Sequence, residues 1–388
     1  MKLLPFDYAV RNLGRSPRRS LAILMGNALV VLLIIAAASF VEGMRSSLSI
    51  RNDSQNVIIL STGSEESIER SEISATTPGL LAASLPGIHT TGGVPFVSPE
   101  ILSALILFAR EDSQEELRAV VRGVTPGAFL VHERIEITDG RAPRPGSNEI
   151  IAGSLAAEKL GLPVSALATG ASLWFEGEPW TIVGRFMARG TVADAELWMT
   201  LTDLQVATKR DGLSCVVVRL GEAEFADVDA FTKMRVDLEL SAISEADYYA
   251  SLLRFYRPIQ IMIWGTGILI AMAGILGGLN TLYSAFAARV REIGMLQSLG
   301  YPRRAIVLSL MQEALLVAAL AVFVAILAAK LLIDGIAIPF SMGVFQLTLN
   351  STVLAAGGGV GLFLGIIGAL PPAWRCLRMP IPEALKSL

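Results

Sequence analysis

Four long apolar segments constrain the fold of this chain more than any other feature of its sequence. They cover residues 21–41, 259–288, 306–333 and 352–370. A helix rises about 1.5 Å per residue, so each segment is long enough to cross a hydrocarbon layer of roughly 30 Å. The mean hydropathy of +0.56 is also too high for an ordinary soluble protein. The sequence therefore predicts a membrane protein with four transmembrane α-helices.

The distribution of charge predicts how these spans are oriented. Residues 1–20, 289–304 and 371–388 hold twelve Lys or Arg against three acidic residues, whereas residues 45–257 hold 29 Asp or Glu against 19 Lys or Arg. Cytoplasmic segments next to spans carry an excess of basic residues. We therefore expect a protein of the inner, or cytoplasmic, membrane with both termini in the cytoplasm. The large acidic region is then extracytoplasmic, and no nucleic-acid partner is expected.

The segments that flank the first two spans have helical patterns of their own. Residues 1–20 predict an amphipathic helix lying on membrane lipid, with an apolar face formed by Phe6, Ala9, Val10 and Leu13. The apolar run at 21–41 is too long for a cleaved signal peptide, so we expect an uncleaved anchor. Residues 42–56 and 242–258 lack runs of Gly or Pro, which favours stalk helices that continue the spans over flexible linkers.

Residues 57–241, between the first two spans, have the pattern of a mixed domain. Short β-rich runs alternate with turns and short helices, and they include residues 57–60, 119–124, 149–151, 172–175, 180–183 and 215–220. This predicts an α+β domain rather than a doubly wound sheet. His89 and His132 have no Cys or His nearby at the spacing of metal ligands, so we expect ordinary structural roles for both and no metal site.

The third and fourth spans carry the most informative intramembrane residues. Glu313 lies roughly 10 Å into the third span, where a carboxylate is costly, so it should either snorkel to the inner interface or face a protein partner. Residues 334–350 are expected to form a short outer loop. In the fourth span every fourth residue is a glycine, at Gly357, Gly361 and Gly365. Such a row admits another helix closely, from this chain or from a second copy. Pro371-Pro372 is expected to end this span.

Residues 289–304, which read RVREIGMLQSLGYPRR, connect the second and third spans. Apolar residues at roughly helical spacing, with arginines at both ends, predict a short amphipathic helix at the membrane surface. Gly300 and Pro302 are a helix stop signal. From charge alone, the simpler interpretation is favoured, namely that the arginines only mark a cytoplasmic loop.

The sequence lacks the usual motifs of nucleotide-binding sites and of several classes of catalytic site. No Gly-Lys dipeptide occurs, so there is no Walker A loop for nucleotide phosphates, and neither an HExxH nor a GxSxG motif is present. The spans show no inverted repeat and few ionisable groups, which argues against a secondary transporter or an ion path. We therefore expect a non-catalytic subunit.

The segment RVREIGMLQSLGYPRRAI resembles the cytoplasmic loop of the FtsX-like, MacB-type permeases of ABC transporters. MQEALLVA around Glu313, RNLGRSPRRS near the N-terminus and the ending PIPEALKSL resemble other signatures of that family. VRGVTPGAF, DGRAPRPGSNEIIAGSLAAEKLGL and EPWTIVGRF resemble the MacB-type periplasmic core domain. The chain departs from the family pattern at Gln297, where a basic residue is customary, at Tyr301-Pro302, and in having no fused ATPase.

The resemblance implies a four-span permease subunit that forms a homodimer, or a heterodimer with a related permease. Each copy would bind a separate ABC ATPase that holds ATP and Mg, and this chain would bind no cofactor. The implied coupling residues are Arg289, Arg291, Glu292, Ile293, Gly294, Leu296, Leu299, Gly300, Arg303 and Arg304. Gly294 is expected to let the ATPase approach.

In that family, closure of the ATPase pair moves the outer domain through the spans and stalks, a process termed mechanotransmission. The resemblance leaves open whether the substrate is an amphiphile, a lipid, a lipoprotein or a peptide, whether the task is cell-wall control, and whether a membrane-fusion adaptor takes part. Two other functions remain as alternatives. One is a membrane-anchored sensor or scaffold that signals through an ATPase, and the other is an enzyme with an outer active site.

Overall fold

The computed structural model describes residues 6–15, 17–48, 55–188, 190–341 and 343–378. The chain divides into two compact units. A helical unit comprises Met1–Gly43, Pro258–Ile336 and Leu347–Leu388, and a sheet unit comprises Met44–Arg257 and Ala337–Gln346. The expectations for residues 1–5, 49–54 and 379–388, which include the PIPEALKSL ending, fall outside the described residues.

The helices in the described ranges are α1 (Phe6–Arg15), α2 (Pro17–Ser47), α3 (Thr77–Ser84), α4 (Ala128–Val131), α5 (Ala156–Leu160), α6 (Leu201–Thr208), α7 (Phe225–Met234), α8 (Glu245–Ala287), α9 (Val290–Ser298), α10 (Arg303–Leu332) and α11 (Ser351–Arg378). The strands are β1 (Asn56–Ser61), β2 (Thr90–Thr91), β3 (Val94–Pro95), β4 (Val97–Leu107), β5 (Leu117–Val124), β6 (Glu136–Gly140), β7 (Glu149–Gly153), β8 (Ser172–Phe175), β9 (Glu178–Met187), β10 (Leu197–Thr200), β11 (Cys215–Arg219), β12 (Leu240–Ser244), β13 (Ala337–Phe340) and β14 (Gly343–Gln346).

Among the described residues, four helices are long and apolar enough to cross a membrane, as predicted. They are Ser20–Ser47 in α2, Glu245–Ala287 in α8, Arg303–Leu332 in α10 and Ser351–Arg375 in α11. With 43 residues, α8 is roughly 65 Å long, about twice the hydrocarbon thickness. The polar segment before the second span is therefore continuous with it, and Pro258 does not interrupt the helix.

Helix α11 does not end at Pro371-Pro372, because it continues to Arg378. Each proline removes one backbone hydrogen bond, which weakens a helix interior. Here the last turns are held by packing, since Ala373 is fully buried in a cluster that includes Phe286 and Ile306. Tertiary contacts thus override the local stop signal.

The glycine row of α11 packs inside the helical unit. A Cβ placed on Gly361 would lie 2.5 Å from Val322 of α10 and 2.7 Å from Val31 of α2, and one on Gly365 would lie 2.5 Å from Ala318 of α10. Gly357 faces Ile35 of α2 in the same way. The helices that the row admits therefore belong to the same chain.

The sheet unit is built on a ten-stranded sheet, which confirms the predicted α+β class. The strand order is β12-β1-β11-β4-β5-β10-β7-β9-β6, with β8 paired to β9. Only the pairs β5–β10 and β7–β9 are parallel. The longest strand, β4, lies at the centre and pairs with both β11 and β5. One continuous core of apolar residues from the strands and from α5, α6 and α7 supports it.

The expected outer loop at 334–350 contains a β-hairpin, β13–β14, that belongs to the sheet unit. Lys159 of α5 donates hydrogen bonds to the carbonyl oxygens of Phe340 and Ser341, the latter at 3.1 Å. The hydroxyl of Tyr256 lies 2.7 Å from that of Ser341. The hairpin between the third and fourth spans is therefore a packed part of the sheet unit.

Candidate functional site

The segment between the second and third spans forms helix α9, whose ends follow from its sequence. Residue 300 has φ +84°, a conformation that favours glycine, and the next helix begins one residue after Pro302. The helix itself covers Val290–Ser298, nine residues within the predicted range of 289–304.

One face of α9 packs inside the helical unit. Val290 and Ile293 are buried together with Phe286, Leu310 and Ala373, so α9 is fixed to the ends of α8, α10 and α11. This contact explains why a nine-residue helix is stable, since so short a helix is marginal in isolation.

Gly294 is buried on this same inward side of α9. The expectation that Gly294 lets a partner approach is therefore wrong, because the residue is covered by its own chain. Leu296 is half-buried and packs against the same cluster.

The other face of α9 is open. Arg291, Met295 and Leu299 recur every four residues and are all exposed, with Leu299 at 69%. Arg303 and Arg304, at the start of α10, and Gly300 are exposed as well. Of the predicted coupling residues, a partner could therefore reach Arg291, Leu299, Gly300, Arg303 and Arg304. Met295, which was not among the predicted coupling residues, lies on the same exposed stripe.

A polar network lies behind α9 and centres on Glu313. Arg289 donates a hydrogen bond to Glu313 at 2.9 Å, and their side chains are 11% and 14% exposed. Asn12 of α1 donates a second hydrogen bond to the same carboxylate oxygen of Glu313. Arg289 also contacts Glu292 at 3.2 Å, and the exposed Arg15 reaches Glu292 at 3.3 Å. The protein partner of Glu313 is thus its own chain.

The charge of Arg289 is stabilised by this arrangement. Burial disfavours the guanidinium, but the carboxylates of Glu313 and Glu292 outweigh that effect and raise the pKa of Arg289 above its usual value. Arg289 therefore joins α1, α9 and α10 and is turned away from the exposed stripe. Of the predicted coupling residues, Arg289, Ile293, Gly294 and Leu296 face inward and Glu292 lies at the boundary.

The sheet unit holds a second polar cluster that the sequence interpretation missed. Arg122 of β5 donates two hydrogen bonds of 2.6 Å to Glu196 and one of 2.6 Å to Glu100 of β4. His132 lies 2.6 Å from the other oxygen of Glu100, and Trp198 donates to Glu196 at 2.8 Å. Glu100 is fully buried and Arg122 and Glu196 nearly so. His132 is therefore part of a buried ion network.

The ionisation of this cluster follows from its contacts. Burial alone would raise the pKa of Glu100, but His132 and Arg122 outweigh it and lower that pKa to about 2. Burial likewise disfavours a charged His132, yet the carboxylate of Glu100 raises its pKa above 6.5. The sequence feature that could have indicated this buried cluster is a single charged residue inside an apolar strand pattern, as in PEIL around Glu100 and VVRGV around Arg122. No group of three or more metal-ligating side chains occurs in the described part of the chain.

Comparisons with known proteins extend these observations. Residues 20–232, more than half of the chain, match the MacB-like periplasmic core domain family, and residues 264–381 match the FtsX-like permease C-terminal family. No curated protein matches the sequence.

The solved structures that resemble part of the chain include two extracytoplasmic domains. The periplasmic region of MacB from Actinobacillus actinomycetemcomitans is 10% identical with a TM-score of 0.38, and the match covers 51% of this chain and 92% of that one. The extracellular domain of the noncanonic ABC-type transporter YknZ from Gram-positive bacteria is 14% identical with a TM-score of 0.36, covering 49% and 100%.

Proposed function

This chain belongs to the MacB-like, FtsX-like permeases of ABC transporters, which work with an ATPase partner, and we propose that it passes force from that ATPase to its extracytoplasmic domain. In this proposal the separate ATPase binds ATP and Mg²⁺, and this chain binds no cofactor and catalyses no reaction. The force that this chain transmits drives export or extraction of an amphiphilic, lipid, lipoprotein or peptide substrate.

The observation that carries the proposal is the division of α9 into an anchored face and an open basic face. Arg291, Met295 and Leu299 offer one charged and two apolar contacts along one side of the helix. Polar and charged groups at an interface favour fast and specific association. The ATPase would dock on this stripe, with Arg303 and Arg304 beside it.

The anchored face supports transmission of force. A force applied to α9 is transmitted to α10 through Arg289 and Glu313. It is transmitted to α8 and α11 through the buried cluster around Phe286. Because packed interiors deform little, such contacts move neighbouring helices together. Helix α8 runs unbroken from Glu245 to Ala287, which lies two residues before Arg289 and three residues before the start of α9.

The topology and assembly belong to the same proposal. Both termini and α9 are cytoplasmic, and the sheet unit is extracytoplasmic, in line with the basic residues near the spans. A second permease subunit, identical or related, completes the transporter. A membrane-fusion adaptor would join it where an outer membrane has to be crossed.

The test is reconstitution of the full chain with its ABC ATPase partner. Arg291→Glu and Leu299→Asp each place a negative charge on the stripe without touching the buried face of α9. We expect at least a tenfold loss of ATPase binding and loss of permease-dependent ATP turnover.

Arg118→Glu is the matched control, since Arg118 is an exposed arginine of the sheet unit. It should bind the ATPase as the unaltered chain does. Normal binding and turnover with both stripe variants would exclude the coupling role of α9. Intact coupling without any change in exported or extracted molecules on deletion of the gene would favour the sensor.

A further inference from the structure

The chain enters the sheet unit twice. Residues Met44–Arg257 connect it to the first and second spans, and residues Ala337–Gln346 connect it to the third and fourth spans. All four spans are therefore joined to the sheet unit by the backbone. The stalks that the sequence predicts account for only the first two of these connections, and the hairpin β13–β14 provides the other two.

The connection between α10 and the hairpin is short and hydrogen-bonded. Each residue of β13 pairs with one of β14. This pairing continues towards α10, because the amide of Leu347 donates to the carbonyl of Ile336 and the amide of Gly335 donates to the carbonyl of Leu347, both at 2.9 Å. Only two residues separate Gly335 from Leu332, the last residue of α10. A displacement of α10 is therefore passed to the hairpin rather than taken up by a flexible linker.

Apolar contacts hold the hairpin within the sheet unit. Phe345 of β14 is only 2% exposed. A Cβ on Gly343 would lie 3.2 Å from the Cβ of Val192, a buried residue that precedes β10. The ring of Phe340 packs edge-on against that of Tyr256 in α8, with the ring centroids 5.6 Å apart. The hairpin therefore contacts both the body of the sheet unit and the first part of α8.

Lys159 of α5 adds a charged contact to these apolar ones. Its ammonium group donates hydrogen bonds to the carbonyl oxygens of Phe340 and Ser341, and within the described ranges it makes no others. Hydrogen bonds from a charged donor are roughly twice as strong as neutral ones. Both carbonyls lie where β13 ends, at the end of the hairpin opposite to α10. One lysine side chain thus fastens the tip of the hairpin to α5.

We propose that β13–β14 is a second mechanical attachment of the sheet unit, through which the third and fourth spans move it, and that Lys159 is the positioning residue that holds the hairpin in place. This inference rests on the proposed function, since it names a further route for the force that α9 receives. That force reaches α10 through Arg289 and Glu313, and α10 ends two residues before the paired segment begins. The sheet unit and the outer end of α10 therefore move as one body.

The experiment measures the distance between two spin labels in the full chain in lipid nanodiscs, with an excess of unlabelled chain so that distances within one copy dominate. One label is attached to Met234→Cys in the sheet unit and the other to Leu331→Cys near the end of α10, at sites 82% and 76% exposed. Cys376→Ser removes one native thiol, and the other, Cys215, is buried. We expect one narrow distance distribution that does not change when the ATPase partner and ATP are added.

Lys159→Met removes both hydrogen bonds to the hairpin and keeps an apolar side chain of similar length. We expect it to widen the distance distribution at least twofold. Lys159→Arg keeps a charged donor and should leave the distribution narrow. Lys209→Met is the matched control, because Lys209 is an exposed lysine at the end of α6; it should also leave the distribution narrow.

A disulfide tests whether the hairpin stays in place while ATP is hydrolysed. Val192→Cys and Gly343→Cys would put two Cβ atoms 3.2 Å apart, close to the roughly 3.5–4.5 Å found in disulfides. We expect the oxidised double variant to keep the permease-dependent ATP turnover of the reduced one, because a fixed attachment does not need to open.

Three outcomes would overturn the proposal. They are a narrow distribution with Lys159→Met, a label distance that changes with ATP while Lys159 is present, and loss of ATP turnover on oxidation of the double variant. The width measured without ATP does not involve the ATPase. A failure of the hairpin attachment can therefore be distinguished from a failure of coupling through α9, which the Arg291 and Leu299 variants test.

Discussion

The buried pair of Arg289 and Glu313 gives the sharpest prediction. Glu313→Gln preserves the shape of the side chain and its contact with Asn12 but removes the charge. Arg289, only 11% exposed, is then left with the more exposed Glu292 as its charged partner. The helical unit should lose stability, and α9 should lose its connection to α10.

The magnitude follows from the geometry. Two unit charges about 4 Å apart attract by about 4 kcal/mol at an effective dielectric of about 20. Part of this is cancelled by the cost of desolvation, so a hydrogen bond between charged groups contributes a net of about 1.5–3 kcal/mol. We expect Glu313→Gln and Arg289→Met each to cost about 2–3 kcal/mol. The double variant should cost little more than one of them, because it leaves no unpaired charge.

The assay is a double-mutant cycle on unfolding of the full chain by SDS in mixed micelles. A coupling energy of about 2 kcal/mol is expected for Arg289 and Glu313. The exposed pair Arg15 and Glu292, 3.3 Å apart, is the control and should give below about 0.5 kcal/mol. A coupling energy for Arg289 and Glu313 no larger than that of the control pair would refute the reasoning.

Three further predictions concern other parts of the molecule. Gly361→Val should destabilise the helical unit by about 1–3 kcal/mol through overpacking, whereas Gly359→Val, where a Cβ meets nothing within 4 Å, should be nearly neutral in the same SDS titration. The folded pKa of His132 is raised above 6.5, so the stability that this residue contributes is complete below pH 6.5 and is lost as the pH rises through the raised pKa. The melting temperature of the protein should therefore fall over that pH range. The variant His132→Gln should abolish this fall. Met234 is 82% exposed, so the variant Met234→Cys should react with an impermeant maleimide added outside intact cells. Cys215 should not react, because it is buried and burial raises the pKa of its thiol. Labelling of Met234→Cys only after permeabilisation would contradict the proposed topology.

Helix α9 shows what could be predicted from the sequence and what could not. The order of residues in RVREIGMLQSLGYPRR sets a short helix that ends at a glycine, because helical spacing and φ > 0 are local properties. Which face of that helix packs inside is decided by residues far away in sequence, such as Leu310 and Ala373. Gly294 was therefore assigned to the wrong side, and Arg289 proves to be an anchor.

Residues far apart in sequence also decide the outcome at the paired prolines and at the buried cluster of the sheet unit. Pro371-Pro372 is a strong local stop, yet α11 continues because Ala373 is buried against other helices. Glu100, Arg122 and Glu196 lie on three neighbouring segments that only the strand order brings together. No local pattern states that β4 pairs with β5, or that His132 closes the network.

By itself, the sequence determined four spans, an α+β domain between the first two, and the place and ends of α9, because hydrophobic length, periodicity and turn chemistry act between near neighbours. Tertiary structure alone decided that Glu313 pairs with Arg289 and Asn12, that the glycine row of α11 packs inside its own chain, and that the hairpin after the third span joins the sheet unit. These outcomes depend on contacts between residues up to some 300 positions apart, and such contacts are fixed only when the whole chain packs.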